Sequence, residues 1–129
     1  MKRTDFLRQL LAGSFLLFVP RTTTAASRTE IKLSSPYIAG FQYYQGTEIE
    51  NKLQQNKLLT LKREPTNEYD KYAVEVYCHH TKLGYLPREE NRVIARMMDQ
   101  GIEVKARITK YNPDKSPYRR VKVVVFNEI

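Results

Sequence analysis

The residues able to do chemistry are few, and tyrosine dominates them. Three short segments stand out: Gln42-Tyr43-Tyr44, the run Arg63-Glu64-Pro65-Thr66-Asn67-Glu68-Tyr69-Asp70, and Gly84-Tyr85-Leu86-Pro87-Arg88. Exposed tyrosines beside lysine and arginine on a β-surface are what a platform for single-stranded nucleic acid requires. The rings stack on bases while the cations meet phosphates. An aspartate in such a site repels phosphate, so Asp70 would have a narrower use: accepting a hydrogen bond from a base edge or a sugar hydroxyl. The same residues have a plainer use as half-buried core tyrosines with Asp70 capping a turn, and at this level both remain open.

For catalysis the inventory is thin. The chain has no Gly-rich phosphate loop followed by Lys and Ser/Thr, no His-Glu-x-x-His, no Cys-x-x-Cys and no serine in a nucleophile-elbow context. Its single cysteine, Cys78, excludes an intramolecular disulfide and a zinc site built on several thiolates. Cys78 and His79 are neighbours, and neighbours on a strand point to opposite faces, so adjacency makes no Cys–His pair. Cys78 continues the apolar Val74–Val76 face and is expected to be buried, and His79-His80 could bind a metal only with distant help. The expectation is a binding module with no catalytic residues, no metal and no cofactor.

Charge and length frame that expectation. With 22 Lys+Arg against 14 Asp+Glu the chain carries a formal +8, which favours an anionic partner. Its 129 residues suit one modest core rather than two domains. Residues 1–26 stand apart: Lys2, Arg3 and Arg8 form a basic head, Leu10–Pro20 is apolar, and Thr22-Thr23-Thr24-Ala25-Ala26 offers small residues for cleavage. That is the shape of a secretory signal. The apolar run is far short of the roughly 20 residues of a membrane-spanning helix. The head also resembles a bacterial twin-arginine signal, with Lys2 in the first arginine position. Cleavage would make the mature protein periplasmic or secreted, without stable membrane insertion; uncleaved, it would be cytoplasmic. Removing residues 1–26 takes away four basic residues and one acidic, so the domain keeps +5 of its +8.

The elements that must position these residues are short. Residues 27–35 read as a linker or edge strand, and the domain proper as 36–129. Tyr37–Tyr44 reads as a strand, rich in aromatic and β-branched residues and containing Gly40, so Tyr43 and Tyr44 should face opposite sides. Thr47–Gln55 is a loop or helical turn. Lys57–Arg63 alternates, and so do the runs Tyr72–Cys78, Val104–Thr109 and Val121–Phe126. Lys82–Pro87 is a short strand, hairpinned to the previous one through His79-His80-Thr81. One helix is expected, opening after Pro87 with Glu89 and Glu90 in its first turn and stopping at Gly101. Its apolar stripe should be Val93, Ile94, Met97 and Met98. Strands this closely spaced leave no room for βαβ units, and closing them into a small barrel would remove exposed edges.

At the three tyrosine segments the sequence resembles the HIRAN domain, over about residues 36–126. The resemblance is carried by Phe41-Gln42-Tyr43-Tyr44-Gln45-Gly46, by the Arg-x-Pro-x-Asn-x-Tyr-Asp-x-x-Ala-Val order from Arg63 to Val74, and by Leu83-Gly84-Tyr85-Leu86-Pro87. Members occur on the N-terminal side of eukaryotic helicase-like remodellers and as stand-alone bacterial proteins, which this chain resembles. The fold so implied is mainly β: a small OB-like or SH3-like β-barrel of about six strands with one or two short helices. The function implied is to hold the 3′ end of single-stranded DNA. Tyr43 and Tyr44 would stack and touch the backbone, Tyr69 and Asp70 would meet the terminal nucleotide with the carboxylate reading the free 3′-hydroxyl, and Asn67 would shape the turn. Lys71, Lys82 and Arg88 are the cations that could compensate where the chain departs from the family pattern. The chain departs from the eukaryotic DNA-binding pattern twice, with neutral Gln42 in place of an arginine and Tyr85 in place of a histidine. A second function stays open beside the first: an exported protein- or glycan-interaction module on the same barrel that has lost DNA binding.

Overall fold

The computed structural model describes residues 28–129, so the expected leader, residues 1–26, lies outside the described residues. Six strands and one α-helix follow in chain order: β1 (Glu30–Ser34), β2 (Leu58–Arg63), β3 (Val74–Cys78), β4 (Thr81–Tyr85), α1 (Arg88–Asp99), β5 (Lys105–Tyr111) and β6 (Val121–Glu128). They form one antiparallel sheet in the order β1-β6-β5-β2-β3-β4.

The alternation read from the sequence sets several strands. In β2, Leu59 and Leu61 are buried while Leu58, Thr60 and Lys62 are exposed. The β3–β4 hairpin turns at His79-His80, with Cys78 opposite Thr81. Val74, Val76 and Cys78 are buried as one face of β3, but Glu75 on the other face is buried too. In β6, Val123, Val124, Val125 and Phe126 are all buried, so this strand is covered on both sides. One core results, in which Ile94 and Ala95 of α1 pack with Val74, Val76, Ala106 and Ile108 of the sheet.

The sheet is open, which corrects the expected barrel. Closure requires the outermost strands to pair, and β1 and β4 stand at opposite ends of the order. A strand over Tyr37–Tyr44 could have bridged that gap, and no such strand forms. The segment makes single bridges, Tyr37 to Lys122 and Ala39 to Tyr85. Gly40 then turns into the left-handed region at φ 73°, and Phe41–Tyr43 winds into a 3₁₀ turn. A residue with φ > 0 interrupts strand geometry and suits glycine. Aromatic content had read as strand where the backbone turns.

α1 begins directly after Pro87 with Glu89 and Glu90 in its first turn. It ends with Gly101 N–H donating to Met98 O and Ile102 N–H to Met97 O, both at 3.0 Å. That paired arrangement satisfies two terminal carbonyls. The expected apolar stripe is rotated: Asn91, Ile94 and Ala95 are buried, Met97 and Met98 are partly so, and Val93 is exposed. A polar residue therefore occupies the core-facing side of α1.

Candidate nucleic-acid interface

The connection from Glu64 to Ala73 is a self-bonded turn, and its side chains explain its shape. Asn67 Oδ1 accepts from the N–H groups of Tyr69 and Asp70 at 2.8 and 3.0 Å, folding the chain back on itself. Its Nδ2 donates to Glu64 Oε1. Asp70 Oδ1 accepts from Tyr72 N–H at 2.9 Å, and Oδ2 accepts from Asn91 Nδ2 on α1 at 2.7 Å. Arg63 binds the far side: it donates to the carbonyls of Ala73 and Lys71 and makes two bonds to Asp99 at 2.9 and 3.2 Å. The turn is thus held to β2 and to both ends of α1.

This turn forms one wall of an open pocket of about 410 Å³, lined among others by Tyr43, Tyr44, Asn67, Tyr69, Asp70, Tyr85 and Arg88. The opposite wall is the Gly40–Tyr44 turn. Gly84 makes that approach possible, because a Cβ there would collide with the Ala39 carbonyl and Ile38. The two tyrosines of the pair do not take opposite faces of a strand, as the sequence predicts; the 3₁₀ turn brings both to the same pocket. Tyr43 and Tyr69 present large exposed rings at 77% and 83% exposure, so both are free to stack. Tyr44 is half-buried, edge-on to Tyr85 with ring centroids 6.0 Å apart.

Behind the tyrosines lies a polar network. Lys82 Nζ donates to Tyr85 Oη at 2.8 Å, pairs with Glu75 at 3.0 Å, and sits 4.5 and 4.2 Å from the ring centroids of Tyr44 and Tyr85. Tyr85 Oη donates to Glu64 Oε1 and Tyr77 Oη to Glu75 Oε2, each at 2.8 Å. Burial pushes the Tyr85 phenol up to about 12, helped by Glu64 against the opposing pull of Lys82. Burial works against the charge on Lys82, but its bonds to Tyr85 and Glu75 outweigh it and hold the ammonium above its usual range. The bonds from Asn67 and then Tyr85 hold the Glu64 carboxyl below its usual range. Tyr85 and Lys82 are therefore locked in their neutral and charged forms at physiological pH.

Residues 31–126 match the HIRAN domain family. The chain belongs to that family. A helicase-like transcription factor from Oryctolagus cuniculus is 34% identical over 64 residues, which are 49% of this chain and only 6% of that protein. Two solved structures share the fold. A protein from Lactobacillus plantarum aligns over 79% of this chain and 98% of its own, at 25% identity and a TM-score of 0.69. The HIRAN domain of human HLTF aligns over 77% of this chain and 78% of its own, at 20% identity and a TM-score of 0.61.

Within this HIRAN domain seven of the nine residues expected at the site line one pocket. The other two do not. Gln42 is exposed and lines an adjoining depression with Tyr43 and Tyr118. Lys71 is exposed beside Tyr72, its Nζ 5.3 Å from that ring. Lys82 is committed to Glu75, so the accessible cation of the pocket is Arg88, whose exposed guanidinium stands 4.0 Å from Asp70 Oδ2. Asn91, Arg63 and Glu75 support the site without being among the residues expected there, although Arg63 opens the motif that carries the family resemblance. Asn91 carried a usable signal: it lies on the same helical face as Ile94 and Ala95, where a polar side chain must find a buried partner. Among the described residues no three His, Cys, Asp or Glu side chains come together to hold a metal ion, and no helix is long and apolar enough to cross a membrane.

Proposed function

We propose that the pocket holds the 3′-terminal nucleotide of single-stranded DNA, with Asp70 accepting a hydrogen bond from the free 3′-hydroxyl. Membership of the HIRAN family supports interaction with single-stranded DNA in general. The observation that carries the finer reading is Asp70 itself: a carboxylate anchored on the wall of an aromatic pocket in a basic chain. A carboxylate offers about four acceptor positions, and the Tyr72 amide and Asn91 side chain take one on each oxygen. The remaining capacity suits a hydroxyl donor and repels a phosphate. Tyr43 and Tyr69 would flank the bases, Tyr44 and Tyr85 would form the floor, and Asn67 would keep the turn in shape. Arg88 would meet the terminal phosphodiester and partly offset Asp70. With Gln42 neutral and Lys82 committed internally, Arg88 carries much of the phosphate contact within the pocket. No catalytic step is assigned: the rabbit relative's helicase-like character belongs to a protein of which this chain matches 6%.

The test is fluorescence-anisotropy binding of the full chain to short single-stranded oligonucleotides ending in a 3′-hydroxyl or a 3′-phosphate, with duplex DNA as a control. Preference for the hydroxyl end, lost in Asp70→Asn, supports the reading. Binding that ignores the end overturns it. Absence of binding to every DNA probe turns the pocket towards a protein or glycan ligand.

A further inference from the structure

Beyond the pocket, α1 carries Arg88, Arg92 and Arg96 at successive turns of one face. Four residues of α-helix rise about 6 Å, so the three guanidiniums form a ladder leading away from the pocket rim, where Arg88 stands. The ladder meets Lys71 across the ring of Tyr72. The Tyr72 centroid lies 5.1 Å from Arg92 Cζ, 5.6 Å from Arg96 Cζ and 5.3 Å from Lys71 Nζ. Arg96 Nη2 is 3.5 Å from Tyr72 Oη.

This cluster lacks the acidic partners that four other cations have. Arg63, Lys82, Lys105 and Arg107 each have a carboxylate at 3.0 Å or closer. Among the described residues, Lys71, Arg92 and Arg96 have none within 4.0 Å. All three are exposed. Like charges gathered around one ring without an acidic partner repel one another and are stabilised by an external anion. Phenol and guanidinium both donate to phosphate oxygens.

We propose that Lys71, Tyr72, Arg92 and Arg96 form a backbone track that receives the phosphates on the 5′ side of the nucleotide held in the pocket. The inference rests on the end-binding reading for its direction, since Arg88 joins pocket and track. The track recognises phosphate and not sequence, so it adds length dependence and salt dependence without base preference. It also replaces charge that Gln42 does not provide beside the tyrosine pair.

The experiment compares the full chain with Arg92→Gln/Arg96→Gln, Arg92→Lys/Arg96→Lys and Asp70→Asn, using a dinucleotide and a dodecanucleotide of deoxythymidine, each ending in a 3′-hydroxyl or a 3′-phosphate. Both arginines are exposed, so the helix is expected to survive the changes. The glutamine variant should lose most of the dodecanucleotide's advantage over the dinucleotide and keep the preference for a 3′-hydroxyl. If two phosphates are released, the log–log salt slope falls by about 1.4, or about sevenfold less affinity lost between roughly 50 and 200 mM salt. The lysine variant should recover much of the slope. An unchanged slope and length advantage in the glutamine variant overturns the track, even where Asp70→Asn abolishes end preference and the pocket stands. Conversely, arginine-dependent binding of the dodecanucleotide that ignores its 3′ end supports the track and overturns the pocket.

Discussion

Asn91 donates a 2.7 Å hydrogen bond to Asp70 across 21 positions of sequence, from the buried side of α1 to the turn that walls the pocket. The amide is 2% exposed, so its partner is structural as well as functional. It fixes the carboxylate from behind while Tyr72 N–H fixes the other oxygen. Two constraints on one carboxylate make it an oriented acceptor rather than a mobile charge.

Asn91→Ala should therefore act on both stability and recognition. A hydrogen bond to a charged group contributes about 1.5–3 kcal/mol, and the released Asp70 can rehydrate through the pocket, so a loss of about 1–2 kcal/mol is expected by urea denaturation. The preference for a 3′-hydroxyl over a 3′-phosphate should fall with little change in salt slope. Full retention of both would mean that Asp70 is oriented by the turn alone.

Gly84→Ala tests the other wall. Gly84 sits at φ 148° with the Ala39 carbonyl where its Cβ would be. The substitution forces apart the reciprocal bonds of Ala39 and Tyr85, which are 2.8 and 2.9 Å long. Overpacking of this kind costs about 1–3 kcal/mol. DNA affinity should fall as well, because Tyr43 and Tyr44 follow directly on the displaced segment. A variant with wild-type urea midpoint and wild-type binding would show that the 38–39 segment yields without moving the tyrosines.

The strands that position the site were legible where one face is buried and the other wet, as in β2, and the stop of α1 was legible in Gly101. The Asn67–Asp70 turn was legible too, because Asn and Asp bond to backbone amides two or three residues on. Three features were not. The open sheet depends on whether β1 and β4 meet, and no local pattern encodes the meeting of distant edges. Tyr43 and Tyr44 have strand-like composition, yet Gly40 turns the backbone before they can extend. Asn91 and Glu75 break the apolar pattern because their partners, Asp70 and Lys82, arrive from other elements. Composition shows a buried polar residue as an anomaly; only the fold supplies its partner.

Lys82→Met should expose the cost of the network under the pocket. It leaves Glu75, whose side chain is 9% exposed, without its cation. Breaking a buried pair costs about 3–5 kcal/mol, and the partial exposure of Lys82 reduces this to about 2–3 kcal/mol. The pH dependence has a definite sign. Lys82 and Tyr85 are both raised on folding, so their stabilisation is complete below their unfolded values near pH 10 and is lost as pH rises through the folded ones. Glu64 is lowered, so its contribution holds above an unfolded value of about 4.3 and disappears as pH falls through the folded one. Urea midpoints of the wild type should be flat through neutrality and fall on both sides. Lys82→Met should change the alkaline fall, removing the part due to Lys82 while Tyr85, freed of its opposing pull, titrates higher still. An unchanged alkaline limb in that variant would place the controlling groups elsewhere.

Tyr72 offers a spectroscopic reporter of the track. The neighbouring guanidiniums of Arg92 and then Arg96, with the charge of Lys71, lower its phenol to about 8. The facing groups are cationic, and Asp70 meets Tyr72 at its backbone N–H rather than at the phenol. One tyrosine should therefore develop phenolate absorbance near pH 8, and Tyr72→Phe should remove that component. In Arg92→Gln/Arg96→Gln it should move up towards the ordinary value near 10. A phosphate bound among the same cations competes with the phenolate, so the two must be linked reciprocally. Adding the dodecanucleotide should raise the Tyr72 midpoint, and raising the pH from about 7 to 9 should weaken dodecanucleotide binding in the wild type more than in Tyr72→Phe. Dinucleotide binding, confined to the pocket, should not show this difference. A Tyr72 midpoint indifferent to saturating dodecanucleotide would mean that the strand leaves the pocket by another route.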